Sequence, residues 1–144
     1  MILRGALSGF ISGSIMGLAM KGLEAIFSKK IYILLLNVDF IPFIGNRNFP
    51  ELVEFLFHVL IAVFIGIIFA WLMERKANSK TSPYIWSFLL TLPTVFLYFP
   101  LTILAKKDTP PADDPISFSL WTIGHILFAI LIPIFYFPKQ KQRG

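Results

Sequence analysis

Three stretches of this chain, Leu52 to Met73, Tyr84 to Ala105 and Ile116 to Phe137, are each 22 residues long and almost wholly apolar. About 20 such residues, wound as a helix, cross the ~30 Å hydrocarbon layer of a bilayer. Backbone amides in lipid must be paired within their own segment, which leaves the helix as the available form. A fourth stretch, Ile2 to Phe27, is long enough to cross but carries Lys21 and Glu24 near its end. Burial in a water-soluble core is excluded by composition. Hydrophobic residues make up 56% of the chain and charged residues 15%, whereas soluble domains carry about 25% charge. The predicted fold is therefore all-α: a membrane four-helix bundle in a single domain, 1–144, with helices at 2–27, 51–73, 84–105 and 116–137.

The connections are polar and short, with one exception. Glu74 to Lys80 forms a basic turn, bracketed by Trp71, Tyr84 and Trp86 as amphipathic aromatics bracket a headgroup layer. Pro110, Pro111 and Pro115 prevent residues 106–115 from continuing a helix. Residues 138–144 form a basic tail. The exception is Ile31 to Gly45, which is apolar but includes Asn37, Asp39 and Pro42. As a helix it would reach only about 22 Å. It reads as an interfacial or re-entrant segment within a long first loop, with a fifth crossing as the alternative. Arg4 precedes an apolar run without a small-x-small cleavage site, so the first helix is expected to be retained.

Charge sets orientation. With four crossings and both ends cytoplasmic, Arg4, Arg75, Lys76, Lys80, Lys139, Lys141 and Arg143 lie inside, against six Lys and Arg outside. A five-crossing chain gives nine against four, which favours that alternative under the positive-inside rule. The net charge of +5 comes from clusters flanking apolar runs, so the partners it implies are membrane lipids and not nucleic acid.

Gly5, Gly9, Gly13 and Gly17 recur every four residues, with Ser8 and Ser12 on an adjacent ridge. This spacing lines one face of a helix with small residues and lets another backbone come close. The neighbour is a helix of the same chain, a second copy, or a membrane-protein partner.

Both histidines fall inside predicted helices. His58 shares a face with Glu54, four residues earlier, and His125 with Thr122. In the four-helix topology both lie about 10–14 Å below the same face, near Lys21 and Glu24 at the end of the first helix. Ionisable groups at such depth usually face the interior and pair. One polar cluster is therefore expected: Lys21, Glu24, Glu54, His58 and His125. It would act as interhelical hydrogen bonding, as a proton or ion path, or as a ligand or metal site.

No catalytic, cofactor or metal motif is present. Cysteine is absent, and no HExxH, GxGxxG, GxxxxGK[ST] or GxSxG occurs. Asp113 and Asp114 read as a turn capping the last helix. Pro93 is expected to kink the third helix. The chain is expected to be non-enzymatic and to need no cofactor. No inverted repeat fits its length, so transport would require an oligomer or a partner.

The run Gly9 to Gly13, then Lys21-Gly-Leu-Glu24, Phe57-His58 opening a helix that ends Glu74-Arg75, and Gly124-His125 resembles the YagU-like bacterial inner-membrane proteins. An apolar stretch stands where that family has Pro-Pro-Arg in the first loop. The resemblance implies four helices, a bacterial plasma membrane, an association with acid tolerance, and interest in Lys21, Glu24, His58 and His125. Two functions follow as expectations: a structural or interaction bundle of the envelope, or a small oligomeric proton or ion channel or transporter.

Overall fold

Every long apolar stretch is helical, and α3, α4 and α6 each start at a proline. A computed structural model describes residues 1–136; the predicted basic tail lies outside the described residues. Six helices follow in order among the described residues: α1 (Ile2–Phe27), α2 (Ile31–Leu36), α3 (Glu51–Arg75), α4 (Pro83–Phe96), α5 (Tyr98–Leu104) and α6 (Pro115–Phe135). No strand occurs among the described residues. α4 and α6 both place proline at their first position, behind Ser82 and Asp114. There the missing N–H costs nothing, and the cap oxygen accepts the amide of Tyr84 or Ile116. α1 closes at Ser28, whose left-handed backbone (φ 54°) sends its N–H back to the Glu24 carbonyl at 2.9 Å.

Four helices among the described residues are long and apolar enough to cross a membrane, α4 and α5 together making the third. No more than 39% of any of these four apolar stretches is buried within the bundle. Leu18, Leu60, Phe64, Leu92 and Ile123 stand on the outside, each roughly half exposed or more. The buried face of α1 is mostly small, glycine and serine, and it meets Ala62, Gly66 and Ala70 of α3, while Trp121, Phe128 and Tyr98 fill the core around α6. In water that outer face would be a large unpartnered apolar surface; in a bilayer it is solvated. The chain is a multi-pass membrane protein. α2 has six residues, about 9 Å of rise, so it is not a fifth crossing. It is a buried plug, with Ile31, Leu34 and Leu36 almost inaccessible, set among α1, α3 and α6.

The third crossing has a one-residue break in its regular α-helix at Leu97, between Phe96 and Tyr98, where the backbone stays right-handed (φ −61°, ψ −16°) and the Leu97 amide still reaches the Pro93 carbonyl at 3.1 Å. Pro100 lacks an N–H and its ring crowds the Phe96 carbonyl, which accounts for the break. The Thr94 and Val95 carbonyls at the break accept the Trp121 indole N–H at 3.3 and 3.2 Å. Pro133 leaves the Ala129 carbonyl of α6 without its usual amide, and the Ser87 hydroxyl donates to that carbonyl at 2.7 Å. The Pro133 defect is thus matched by a side chain from a neighbouring helix, and Trp121 donates to carbonyls beside the Leu97 break.

α1 lies at the centre, packing most extensively on α3 and next on α6, while α4 covers the far side of α6. The glycine stripe faces α3. A Cβ placed on Gly5 would come within 2.6 Å of the Gly66 carbonyl oxygen and 2.8 Å of the Ala70 Cβ. One placed on Gly9 would meet the Ala62 carbonyl and lie 2.8 Å from the Val63 Cα. The adjacent ridge faces α6, where the Ser8 hydroxyl donates to the Ile132 carbonyl at 2.7 Å. The surface that sequence left open to a partner is therefore occupied by α3 of the same chain.

Gly22 lies on the same helix with nothing within 4 Å of an added Cβ, which gives an internal control. Gly9→Ala is expected to destabilise the bundle by about 1–3 kcal/mol through overpacking. Gly22→Ala should be neutral or slightly stabilising. Thermal unfolding of both variants in the same detergent checks this, and equal midpoints would refute the close α1–α3 contact.

Candidate functional site: a paired polar end and two separated histidines

The first and third crossings end, and the second and fourth begin, at one end of the bundle. Here α1 overruns the hydrocarbon layer, since about 20 of its 26 residues suffice to cross. Lys21 and Glu24 therefore stand at headgroup depth. They do not pair with each other. Lys21 forms an ion pair with Glu51. Glu24 accepts the amides of Tyr32 at 2.8 Å and Ile33 at 3.1 Å, capping the otherwise uncapped start of α2. The Tyr32 hydroxyl donates to Glu51 at 2.9 Å. Burial first, and Glu51 second, raise the Tyr32 hydroxyl above the ordinary tyrosine range.

Glu54 does not join His58 either. Its carboxylate pairs with the ammonium of Lys107, from the second polar loop. That loop is held at further points. Lys30 pairs with Asp108, and Lys29 with Asp114 at 2.7 Å. Asp39, buried with Asn37, accepts the backbone amides of Lys106 at 2.9 Å and Lys107 at 2.7 Å. Gly45 keeps Asp39 in place by close approach: a Cβ there would lie 2.6 Å from the Asp39 carbonyl carbon. The Tyr98 hydroxyl donates to the Pro111 carbonyl at 2.9 Å. The polar end is thus a lattice joining the first loop, the second loop and the ends of α1, α3 and α6.

The histidines lie deeper and apart from these charges. The expected five-member cluster is divided, because the carboxylates and lysines reach across to loops at the headgroup level while the imidazoles stay among apolar side chains. His58 Nε2 faces the Gly13 carbonyl of α1 at 3.1 Å. His125 Nδ1 faces the Trp121 carbonyl, one turn back on its own helix, at 2.8 Å. A nitrogen facing a carbonyl must carry the hydrogen. This leaves Nδ1 of His58 and Nε2 of His125 as acceptors without a hydrogen-bond partner among the described residues. Both rings line one cavity of about 100 Å³, otherwise walled mainly by Met16, Leu35, Ala62, Ile65, Trp121 and Phe128. No group of three or more His, Cys, Asp or Glu able to hold a metal occurs among the described residues. Thr122, expected beside His125, donates instead to the Phe118 carbonyl at 2.8 Å.

Asp39, Tyr32, Lys29, Lys107 and Asp114 hold the site together, yet none was among the predicted site residues. Asn37-x-Asp39 inside an apolar run was the available signal for one of them. Two short-range polar residues in such a stretch point to a local turn and a carboxylate needing partners.

The Lys29 ammonium and then the Ser117 hydroxyl hold the Asp114 carboxyl down at about 2. A depressed carboxylate contributes stability that is fully present above the unfolded pKa of about 3.9 and is lost as pH falls through about 2. Stability measured by detergent-phase unfolding should therefore decline in this window, and Asp114→Asn should flatten the decline. Superimposable pH profiles for the two proteins would contradict the Lys29–Asp114 clamp.

No protein-family model, curated protein or solved structure matches the chain. The functional reading rests on the bundle's own geometry: four apolar crossings, a charge-paired end, and two imidazoles spent on backbone carbonyls.

Proposed function

We propose that this is a non-enzymatic, multi-pass protein of the bacterial plasma membrane, with both termini cytoplasmic, serving as a structural or interaction component of the envelope. The polar end would face outward as a preassembled platform. The observation that carries this reading is the ion-pair lattice. Lys21, Lys29, Lys30 and Lys107 each hold a carboxylate from another segment, so these four pairs are committed to fixing the protein's own loops. A path for ions needs groups that exchange partners along a route. Here the charged groups and the histidines sit in separate layers, and each imidazole has one nitrogen engaged by a backbone carbonyl.

The cytoplasmic assignment of the other end draws on Arg4, Arg75, Lys76 and Lys80. The bacterial setting and a role under acid stress draw on the resemblance to YagU-like proteins. The depressed Asp114 carboxyl supports the acid role, because the Lys29–Asp114 pair keeps its charge at pH 3.

The cavity shared by His58 and His125 favours a second reading, proton conduction by an oligomer. Reconstitution into liposomes loaded with a pH-sensitive dye separates the two. Under an imposed pH gradient the platform reading expects leakage equal to protein-free vesicles. Flux that disappears in His125→Ala would replace it with the conduction reading.

A further inference from the structure

We propose that the end of the bundle opposite the platform carries a binding site for the phosphate headgroup of an anionic phospholipid, between α1, the α3–α4 turn and α6. A cavity of about 650 Å³ lies there, with Arg4, Lys76, Ser79, Thr81 and Trp86 in its wall. These residues come from three parts of the chain and share one property: each brings a hydrogen-bond donor. The Trp86 indole N–H is buried and has no acceptor among the described residues. An indole nitrogen can only donate, and when buried it is ordinarily matched. The Lys76 ammonium stands 5.6 Å from the centroid of the same indole ring, so positive charge sits beside that unmatched donor. Ser79 Oγ already accepts the Thr81 amide at 3.1 Å, which leaves its hydrogen to donate elsewhere.

The ligand chemistry these groups fit is an oxyanion with several acceptor oxygens. Glu74 also borders the cavity, but its carboxylate lies 3.9 Å from the Met1 amine, and Arg4 and Lys76 outweigh it. Position decides in favour of a lipid over a soluble anion. The site lies at the level of Trp71, Tyr84 and Trp86, the aromatic belt that marks a headgroup layer. Met73, Pro83 and Pro133 continue its wall with apolar surface, where an acyl chain leaving the headgroup can lie. Basic pockets between helices at this depth are suited to anionic headgroups, and a free phosphate gains nothing from the apolar wall.

The test uses the full-length protein in nanodiscs of phosphatidylcholine with graded phosphatidylglycerol, retained lipid being counted by native mass spectrometry. Phosphatidylglycerol should be retained in preference to phosphatidylcholine. Lys76→Gln should weaken that retention about fivefold, the worth of one juxtamembrane cation. Trp86→Phe, which keeps the ring and removes the N–H, should weaken it as well. In pure phosphatidylcholine both variants should melt with the parent; if Trp86→Phe does not, Thr81→Ala takes its place. Equal retention by the parent and the variants overturns the site. Displacement of the lipid by inorganic phosphate at matched phosphate concentration overturns the lipid assignment.

Discussion

The whole arrangement depends on how closely α1 and α3 approach. In a bilayer, apolar side chains gain little by leaving lipid for protein, so helix association must come from dispersion contacts at short range and from polar pairs. α1 meets that demand with glycine, and α3 answers with Ala62, Gly66 and Ala70 at the same four-residue interval. The two backbones touch without intervening side chains. With α1 fixed on α3, its serine ridge is turned to α6, and Ser8 reaches a carbonyl near the Pro133 defect. The central helix is the one with the smallest side chains, and its other neighbours are oriented through it.

The two ends of the bundle are then solved differently. At one end α1 projects beyond the hydrocarbon layer and supplies Lys21 and Glu24 to hold α2 and the start of α3. The α2 plug buries apolar side chains that would otherwise sit at a wet interface, and Asp39 ties the following turn to the second loop. At the other end the α3–α4 turn carries cations stacked on aromatics, with Arg75 over Trp71 at 4.5 Å and Lys76 over Trp86 at 5.6 Å. Exposed ion pairs are individually weak. The lattice draws its effect from the partly buried members, Glu54 and Asp114, and from backbone amides that have no other acceptor.

What was legible in the sequence is what depends on solvent. Runs of bilayer length, prolines at helix starts and the glycine interval specify four helices and a close-packed face without reference to anything distant. The partner of that face was legible too, since Ala62, Gly66 and Ala70 repeat the interval on α3; the glycines alone drew attention. Pairing between loops was not legible. Lys107 meets Glu54, and Lys29 meets Asp114, across separations of 53 and 85 residues. A helical wheel groups Glu54 with His58 because they share a face, but it carries no information about a lysine delivered by another loop. The break at Leu97 was half legible: Pro93 signals a bend, while Pro100 and the indole that accommodates the opened carbonyls set its place.

The bundle requires α1 and α3 of one molecule to be in backbone contact. Nuclear Overhauser effects between the Gly9 and Val63 α-protons measure this without perturbing the seam, because an added Gly9 Cβ would lie 2.8 Å from the Val63 Cα. A uniformly labelled sample should give a strong cross-peak, and an isotope-filtered sample mixed from labelled and unlabelled chains should give none. No cross-peak in the first sample, or one in the second, would contradict the architecture described.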